Sequence, residues 1–232
     1  PIPGAEKSDR YTTEPWPLPP EMEILLKTAQ EALTPDLAIV RDYTRTHQIT
    51  YETLKAFSAG YIPEGPGQLE CLVFPYYLGG RLVGIKGRSF SGLKANIKGT
   101  HHVPFHIDAI LDTTHQCVLV EGESDCMRAQ QALGERIPVI AAPGAEFLKL
   151  WGRELESVDR VYCIPQADEA SWNKFVPAVT RELGENRVRV VRLKWRRGEL
   201  GKDIVDWLRP RTDQNLIDAI PWEEARKTQG LT

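Results

Sequence analysis

The sequence predicts an α/β protein: a mostly parallel, Rossmann-like sheet flanked by helices and preceded by a small α+β subdomain. Residues 117–208 alternate short apolar strands with helical segments, which is typical of a parallel sheet covered on both faces. Residues 71–88 form two β-rich runs around a glycine turn, and residues 21–57 have helical spacing. A chain of 232 residues can hold one large domain or two small ones.

Composition supports a folded core and limits the classes of function. Hydrophobic residues make up 41% of the chain and charged residues 26%, which is within the globular range. The formal net charge of −3 excludes a globally basic nucleic-acid-binding protein, so such a site must be a local patch. No apolar run reaches the length of a membrane span and no signal peptide is evident, so we expect a cytoplasmic protein without a membrane partner.

The cysteines and histidines argue against a zinc module. The four cysteines are far apart and form no C-x-x-C pair, which indicates reduced, buried thiols. His101, His102 and His106 have no cysteine partners at zinc-site spacing. We interpret these histidines as loop and packing residues.

The first part of the chain predicts an arm followed by helices. Six prolines in residues 1–20 suit neither a helix interior nor a sheet, so this segment is expected to be an extended arm. Helices are predicted over residues 21–32, from the Thr34-Pro35-Asp36 start signal to about residue 47, and over residues 51–57.

A hairpin and then a parallel sheet follow. Residues 71–77 and 81–88 are joined by Leu78-Gly79-Gly80, a hairpin signal. The later strands are predicted at 117–121, 137–141, 160–164 and 187–193, with helices at 124–133, 146–154, 170–183 and 204–208. Pro177 predicts a kink in the third of these helices or a later start. The predicted division is an arm (1–20), a helical and hairpin subdomain (21–112), a sheet domain (113–210) and a C-terminal tail or helix (211–232).

Carboxylates follow three strand ends of the predicted sheet. In open parallel sheets, functional groups gather where strands end and helices begin. The segments are 121–125 (EGESD), 166–171 (QADEAS) and 202–206 (KDIVD). Each alone is more typical of a helix cap than of a ligand site. Together they indicate a cluster of oxygen ligands suited to Mg²⁺ or Mn²⁺.

In their order and spacing, the three segments resemble the signature of the TOPRIM domain, which occurs in primases, topoisomerases and some nucleases. The resemblance covers residues 117–207 and is most specific at segment 121–125. It implies that Glu121 is a general acid/base or metal-organising residue and that Asp168 is catalytic. It further implies a primase-type glycine loop at Gly144. The implied metal ligands are Glu121, Asp125, Gln166, Asp168, Asp203 and Asp206.

Gln166 departs from the TOPRIM pattern, since the family's first aspartate is expected at that position. Ser171 also replaces the usual glycine. A glutamine carbonyl can accept a metal but adds no negative charge. We therefore expect weaker metal binding, with one of two metal sites at risk.

The region before residue 117 resembles the N-terminal subdomain of primases. The similarity lies in residues 51–62, 73–76 and 80–88, followed by two lysines. In that family basic residues contact the template strand and nucleotide phosphates. The resemblance implies that Lys86 and Arg88 make these contacts here and that Lys86 also takes part in catalysis. Lys94 and Lys98 are weaker matches for the same role.

Two local basic patches agree with nucleic-acid binding. Residues 81–98 contain five basic residues and no acidic one, which can neutralise phosphates; a solvated hairpin face is the alternative. A second run, which includes Arg196, surrounds Trp195. It could hold single strands by stacking or serve only as a solubility device on an edge strand.

The resemblance implies a nucleotidyltransferase of the primase type, which makes RNA primers on single-stranded DNA from nucleoside triphosphates with Mg²⁺ or Mn²⁺. A catalytically degenerate TOPRIM protein that binds nucleic acid or a replication partner is the alternative, and a TOPRIM nuclease is a weaker one. No P-loop motif occurs. We expect the core of a larger primase or a stand-alone phage or plasmid protein, with a helicase or another replication protein as a possible partner.

Overall fold

Two four-stranded sheets organise the described part of the chain, one antiparallel and one parallel. The computed structural model describes residues 18–65, 69–90, 103–142 and 154–221, and the backbone alone of residues 94–99. Most of the predicted arm lies outside the described residues, as do residues 146–153 of the helix predicted at 146–154 and the end of the C-terminal tail. The predicted domain boundaries remain a prediction.

Three helices come first: α1 (Pro20–Ala32), α2 (Ala38–His47) and α3 (Tyr51–Ala56). The helix start predicted at Thr34-Pro35-Asp36 is wrong, because residues 35–37 form a turn and Leu37 is extended. Helix α3 begins as predicted, with the Thr50 side chain accepting a hydrogen bond from the Thr53 amide.

The antiparallel sheet has the order β1 (Gly60–Ile62), β2 (Cys71–Leu78), β3 (Arg81–Ser89) and β4 (Lys94–Gly99). The predicted hairpin is therefore confirmed. Gly79 and Gly80 have φ values of 59° and 74°, which favours glycine in a two-residue turn. Both glycine amides donate to the Asp108 carboxylate at 2.8 Å, so the turn is fixed to the segment that leads into the second sheet.

The parallel sheet has the order β6-β5-β7-β8. Its strands are β5 (Gln116–Val120), β6 (Val139–Ala141), β7 (Arg160–Cys163) and β8 (Val188–Val190). Its helices are α4 (Glu123–Leu133), α5 (Val176–Leu183), α6 (Ile204–Leu208) and α7 (Asp213–Ala219). All four predicted strands are present. β5 has the predicted length but begins one residue earlier, and the other three are shorter than predicted. The predicted α/β architecture, a parallel sheet flanked by helices, is confirmed.

Pro177 predicted a kink or a later helix start, and the helix changes type just before this residue. Residues 169–170 are α-helical, Ser171–Phe175 form a π-helical turn, and Pro177 lies in the first turn of α5. A proline has no amide hydrogen to donate to the preceding turn, so the regular α-helical hydrogen bonding is interrupted before it. The π turn places Trp172 beside the loop that follows β7.

One large core joins the two sheets. It includes Leu54 and Phe74 from the first part of the chain together with Leu119, Met127 and Tyr162 from the second. A smaller cluster packs α1 against β2 and β3. All four cysteines are buried and free, as predicted.

Two further observations complete the fold. His106 packs against the Phe57 ring, and its Nδ1 lies 2.9 Å from the Val139 carbonyl oxygen, which agrees with the predicted packing role. His101 and His102 lie outside the described residues. No helix in the described part of the chain is long and apolar enough to cross a membrane.

Candidate active site

The three acidic segments meet at one edge of the parallel sheet. Glu121 directly follows β5, and its Oε1 accepts a hydrogen bond from the Gln166 amide, in the loop after β7, at 2.9 Å. The Ala167 amide donates to the Lys202 carbonyl at 2.5 Å, next to the start of α6. One side-chain and one backbone hydrogen bond thus connect the ends of all three segments.

Asp125 is the most buried carboxylate among the predicted site residues. Its exposed fraction is 3%. Its Oδ2 accepts a hydrogen bond from the Gln166 Nε2 at 3.3 Å, and its buried Oδ1 has no partner. Burial, and then the neighbouring charge of Asp203, raise the pKa of Asp125 to about 7. This side chain is therefore in an environment that disfavours an uncompensated negative charge.

Asp203 is half-buried and caps α6. Its side chain accepts a hydrogen bond from the Asp206 amide at 3.0 Å, as an N-cap aspartate does. Burial and the charge of Asp206 raise the pKa of Asp203, and backbone hydrogen bonds oppose them. Asp203 thus combines the capping role that sequence analysis allowed with proximity to the charge of Asp125.

Asp168 and Asp206 are engaged by backbone amides and basic side chains. Asp168 accepts a hydrogen bond from the Ser171 amide at 2.8 Å, and its Oδ2 lies 3.9 Å from Lys202 Nζ. The Ser171 bond is the main reason that the pKa of Asp168 is lowered. Asp206 accepts from the Lys202 amide at 3.1 Å and lies 3.6 Å from Arg209.

The donor chemistry of this cluster fits a divalent cation. Asp125 presents a buried oxygen without a partner, within the field of Glu121 and Asp203. Carboxylate oxygens are the ligands that Mg²⁺ and Mn²⁺ prefer. Among the described residues, however, no three Asp, Glu, His or Cys side chains are arranged to hold an ion as they stand. The Gln166 side chain donates into the cluster and adds no charge to it.

Glu123 links this edge to the basic hairpin, and sequence analysis did not assign it a role. It is 6% exposed and forms an ion pair with Lys86. It also accepts a hydrogen bond from the Tyr76 hydroxyl at 2.5 Å and lies 3.8 Å from the Arg88 guanidinium. Burial tends to raise the pKa of Glu123, but the charge and hydrogen bond of Lys86, with the Tyr76 bond, lower it to about 2.

A signal for Glu123 was present in the sequence. In a helix that begins at Glu123, Cys126 and Met127 lie three and four residues further along the same face, and both are fully buried. A carboxylate on such an apolar face needs a cationic or hydrogen-bonding partner. The only missing information was which cation would reach it.

The remaining predicted binding residues are placed differently. Arg196 is exposed, and its amide donates to Glu199 Oε2 at 2.6 Å. Its described contacts do not include the carboxylate cluster. The backbones of Lys94 and Lys98 lie in β4 beside β3. Gly144 lies outside the described residues.

Solved primase structures have the same fold. The primase fragment of the bacteriophage T7 primase-helicase protein superposes with a TM-score of 0.64 at 19% identity, over 76% of this chain and 72% of that one. A DNA primase domain from Pseudomonas aeruginosa gives 0.65 at 17% identity, over 87% and 77% of the two chains. This chain has the fold of a primase catalytic core.

A third solved primase structure has the same fold, whereas the comparisons of sequence found no match. The DnaG primase catalytic domain bound to single-stranded DNA gives a TM-score of 0.63 at 16% identity, over 85% of this chain and 78% of that one. The primase-type TOPRIM fold expected from the sequence is thereby confirmed. No protein-family model matches the sequence, and no curated protein does.

Proposed function

We propose that this protein is a nucleotidyltransferase of the primase type, which synthesises RNA primers on single-stranded DNA from nucleoside triphosphates. The observation that carries the proposal is the contact between the two sheets. Lys86 and Arg88 of β3 reach Glu123, two residues from both Glu121 and Asp125. Groups that attract phosphate and groups that attract a divalent cation therefore lie side by side, as phosphoryl transfer requires.

Each set of residues has a separate role in this proposal. Glu121, Asp125 and Asp203 would hold Mg²⁺ or Mn²⁺, with Gln166, Asp168 and Asp206 around them. A divalent cation at such a site compensates phosphate charge and lowers the pKa of a bound hydroxyl. Lys86 and Arg88 would bind the nucleotide phosphates. Glu121 would accept a proton or organise the metal, and its position is fixed by the Gln166 amide.

The proposed partners follow from the fold and the charges. A similar primase domain was solved bound to single-stranded DNA, and residues 81–98 of this chain contain five basic residues and no acidic one. Lys94, Lys98 and Arg196 would contribute to binding a strand, and Gly144 to the nucleotide loop. The T7 protein is a primase-helicase, so a helicase or another replication protein is the proposed protein partner.

Primer synthesis on a mixed-sequence single-stranded template tests the proposal. The reaction contains labelled ribo- or deoxyribonucleotides with Mg²⁺ or Mn²⁺. Glu121→Gln and Asp168→Asn should abolish metal-dependent products while circular dichroism shows an intact fold. Glu135→Gln, at an exposed carboxylate on the chain segment after α4, is the matched control and should keep full activity.

Gln166→Asp separates the proposal from its alternatives. Product from the wild-type chain would mean that Gln166 is tolerated, and product only from Gln166→Asp would mean a metal site weakened by the glutamine. Silence from both, with DNA binding intact, would favour a binding module or a catalytic core that needs a further domain. Metal-dependent cleavage of DNA without nucleotides would instead indicate a nuclease.

A further inference from the structure

A cavity of about 280 Å³ lies beside the carboxylate cluster. The loop after β7, the π turn, the loop after β8 and the start of α6 surround it. The residues that decide its chemistry are Gln166, Trp172, Arg192, Trp195, Lys202 and Asp203. We call this cavity the Trp172 pocket; its volume suits one small ring system better than a drug-sized ligand.

The walls of the Trp172 pocket are aromatic and cationic. The Arg192 guanidinium lies over the Trp172 ring, 4.4 Å from its centroid. Arg192 is exposed and Trp172 is partly exposed. A guanidinium stacked on an indole presents its other face to solvent, and planar bases stack on such guanidinium and aromatic surfaces.

The opposite wall is held in place before any ligand binds. A side-chain carbon at Gly201 would lie 2.6 Å from the Trp195 ring, so the ring packs directly on this backbone. Arg211 donates to the carbonyl of Lys194 at 3.3 Å and to Glu199 at 2.6 Å. Because the loop is already ordered, ligand binding costs less conformational entropy.

The pocket and the carboxylate cluster share residues. Gln166 lines the pocket and donates to Asp125, and Asp203 lines the pocket and caps α6. Lys202 also lines the pocket and lies 3.9 Å from Asp168. A base in the pocket would therefore have its phosphate close to both Lys202 and the carboxylates.

We propose that the Trp172 pocket binds a nucleobase, stacked against the Trp172–Arg192 pair with its phosphate toward Lys202. The base comes either from a free nucleotide or from a single strand. This inference rests on the proposed function, because a primase has to hold both. It assigns base contact to residues outside the basic hairpin.

Binding without metal and without synthesis tests the pocket. The probes are ATP and inorganic tripolyphosphate by calorimetry, and a fluorescein-labelled oligothymidylate by anisotropy, all in EDTA. Trp172→Ala and Arg192→Ala should weaken binding of at least one base-containing probe by about fivefold to a hundredfold. Trp172→Phe keeps a ring and should retain most of the affinity. Arg181→Ala removes the same charge from an exposed position on α5, outside the pocket lining and outside the basic run around Trp195, and should change affinity less than threefold.

The outcomes identify the source of the base or overturn the proposal. Loss confined to ATP assigns a nucleotide pocket, and loss confined to the oligothymidylate assigns a strand pocket. Tripolyphosphate that binds as well as ATP excludes a free nucleotide as the source of the base. The proposal is wrong if the wild-type chain binds neither base-containing probe, or if Arg192→Ala weakens both probes no more than Arg181→Ala does. Since no step depends on primer synthesis, failure of the proposed activity does not change this result.

Discussion

Glu123 is a buried carboxylate whose charge is stabilised by side chains from the other sheet. Glu123→Gln removes the ion pair with Lys86 and leaves Lys86 and Arg88 without their carboxylate. We expect a loss of about 2–3 kcal/mol in the free energy of unfolding near neutral pH. Urea denaturation measures it, with Glu135→Gln as an exposed control that should change stability by less than about 0.5 kcal/mol.

The pH dependence of this effect has a definite sign. The pKa of Glu123 is lowered from 4.5 to about 2, so folding favours the ionised form. The stabilisation is present above the unfolded pKa and is lost as the pH falls from about 4.5 towards 2. The difference in the free energy of unfolding between the wild-type chain and Glu123→Gln should therefore decrease as the pH falls over that range. A difference that is the same at every pH would mean that the ion pair does not stabilise the fold.

The effect of pH on stability should have the opposite sign for Asp125. Its pKa is raised from 3.8 to about 7, so the ionised form destabilises the fold as the pH rises through that interval. In EDTA above about pH 7, Asp125→Asn should be more stable than the wild-type chain, by between about 1 and 4 kcal/mol. At about pH 4 the two proteins should have the same free energy of unfolding.

The effect of Mg²⁺ on the Tm of the wild-type chain, Asp125→Asn and Gln166→Asp tests the carboxylate cluster. Mg²⁺ should raise the Tm of the wild-type chain and have a smaller effect on Asp125→Asn, because the variant lacks a negative ligand. Gln166→Asp should show the largest rise. Equal shifts for all three proteins would exclude Asp125 and Gln166 from the metal site.

At the scale of elements, the loop between β8 and α6 depends on one glycine. Gly201→Ala would place a carbon 2.6 Å from both the Trp195 ring and the Asp206 Cβ. We expect a destabilisation of about 1–3 kcal/mol from this overpacking, measured by urea denaturation. Leu200→Ala is the control, because Leu200 is 95% exposed. If the two variants are equally stable, the loop is free to shift and does not fix Trp195.

At two other elements, a local sequence signal predicted the backbone conformation, correctly in one case and wrongly in the other. Pro177 predicted a kink or a later helix start, and the chain forms a π turn immediately before α5. The signal at Thr34-Pro35-Asp36 predicted a helix start, but Leu37 adopts an extended conformation and α2 begins at Ala38. A proline acts on its own backbone, whereas a helix start also depends on where the following residues pack.

At the scale of the whole molecule, the shared core predicts cooperative unfolding. Leu54 and Phe74 pack in the same cluster as Leu119 and Met127. Phe105 also pairs with Ala141 by two backbone hydrogen bonds, at 2.8 and 3.1 Å, which attaches the first part of the chain to an edge of the parallel sheet. We expect one urea transition, coincident by far-UV circular dichroism and tryptophan fluorescence. Two separate transitions would show that residues 21–112 and 113–210 fold independently.

The sequence by itself determined the class of fold and the residue types at the site. Short apolar strands that alternate with helices specify the parallel sheet, since their side chains must be buried on both faces. Carboxylates at the strand ends follow from the motif, and glycines at the hairpin turn follow from backbone sterics.

Only the tertiary structure decided which of these groups meet. Lys86 and Glu123 are 37 residues apart, and Trp172 lies in the π turn whereas Arg192 lies in the loop after β8. No periodicity encodes such pairs, because long-range contacts depend on how strands, helices and sheets pack in the folded chain. The opposite pKa shifts of Glu123 and Asp125 are likewise properties of the folded chain. Burial raises the pKa of Asp125, whereas Lys86 and Tyr76 lower the pKa of Glu123 against the effect of burial.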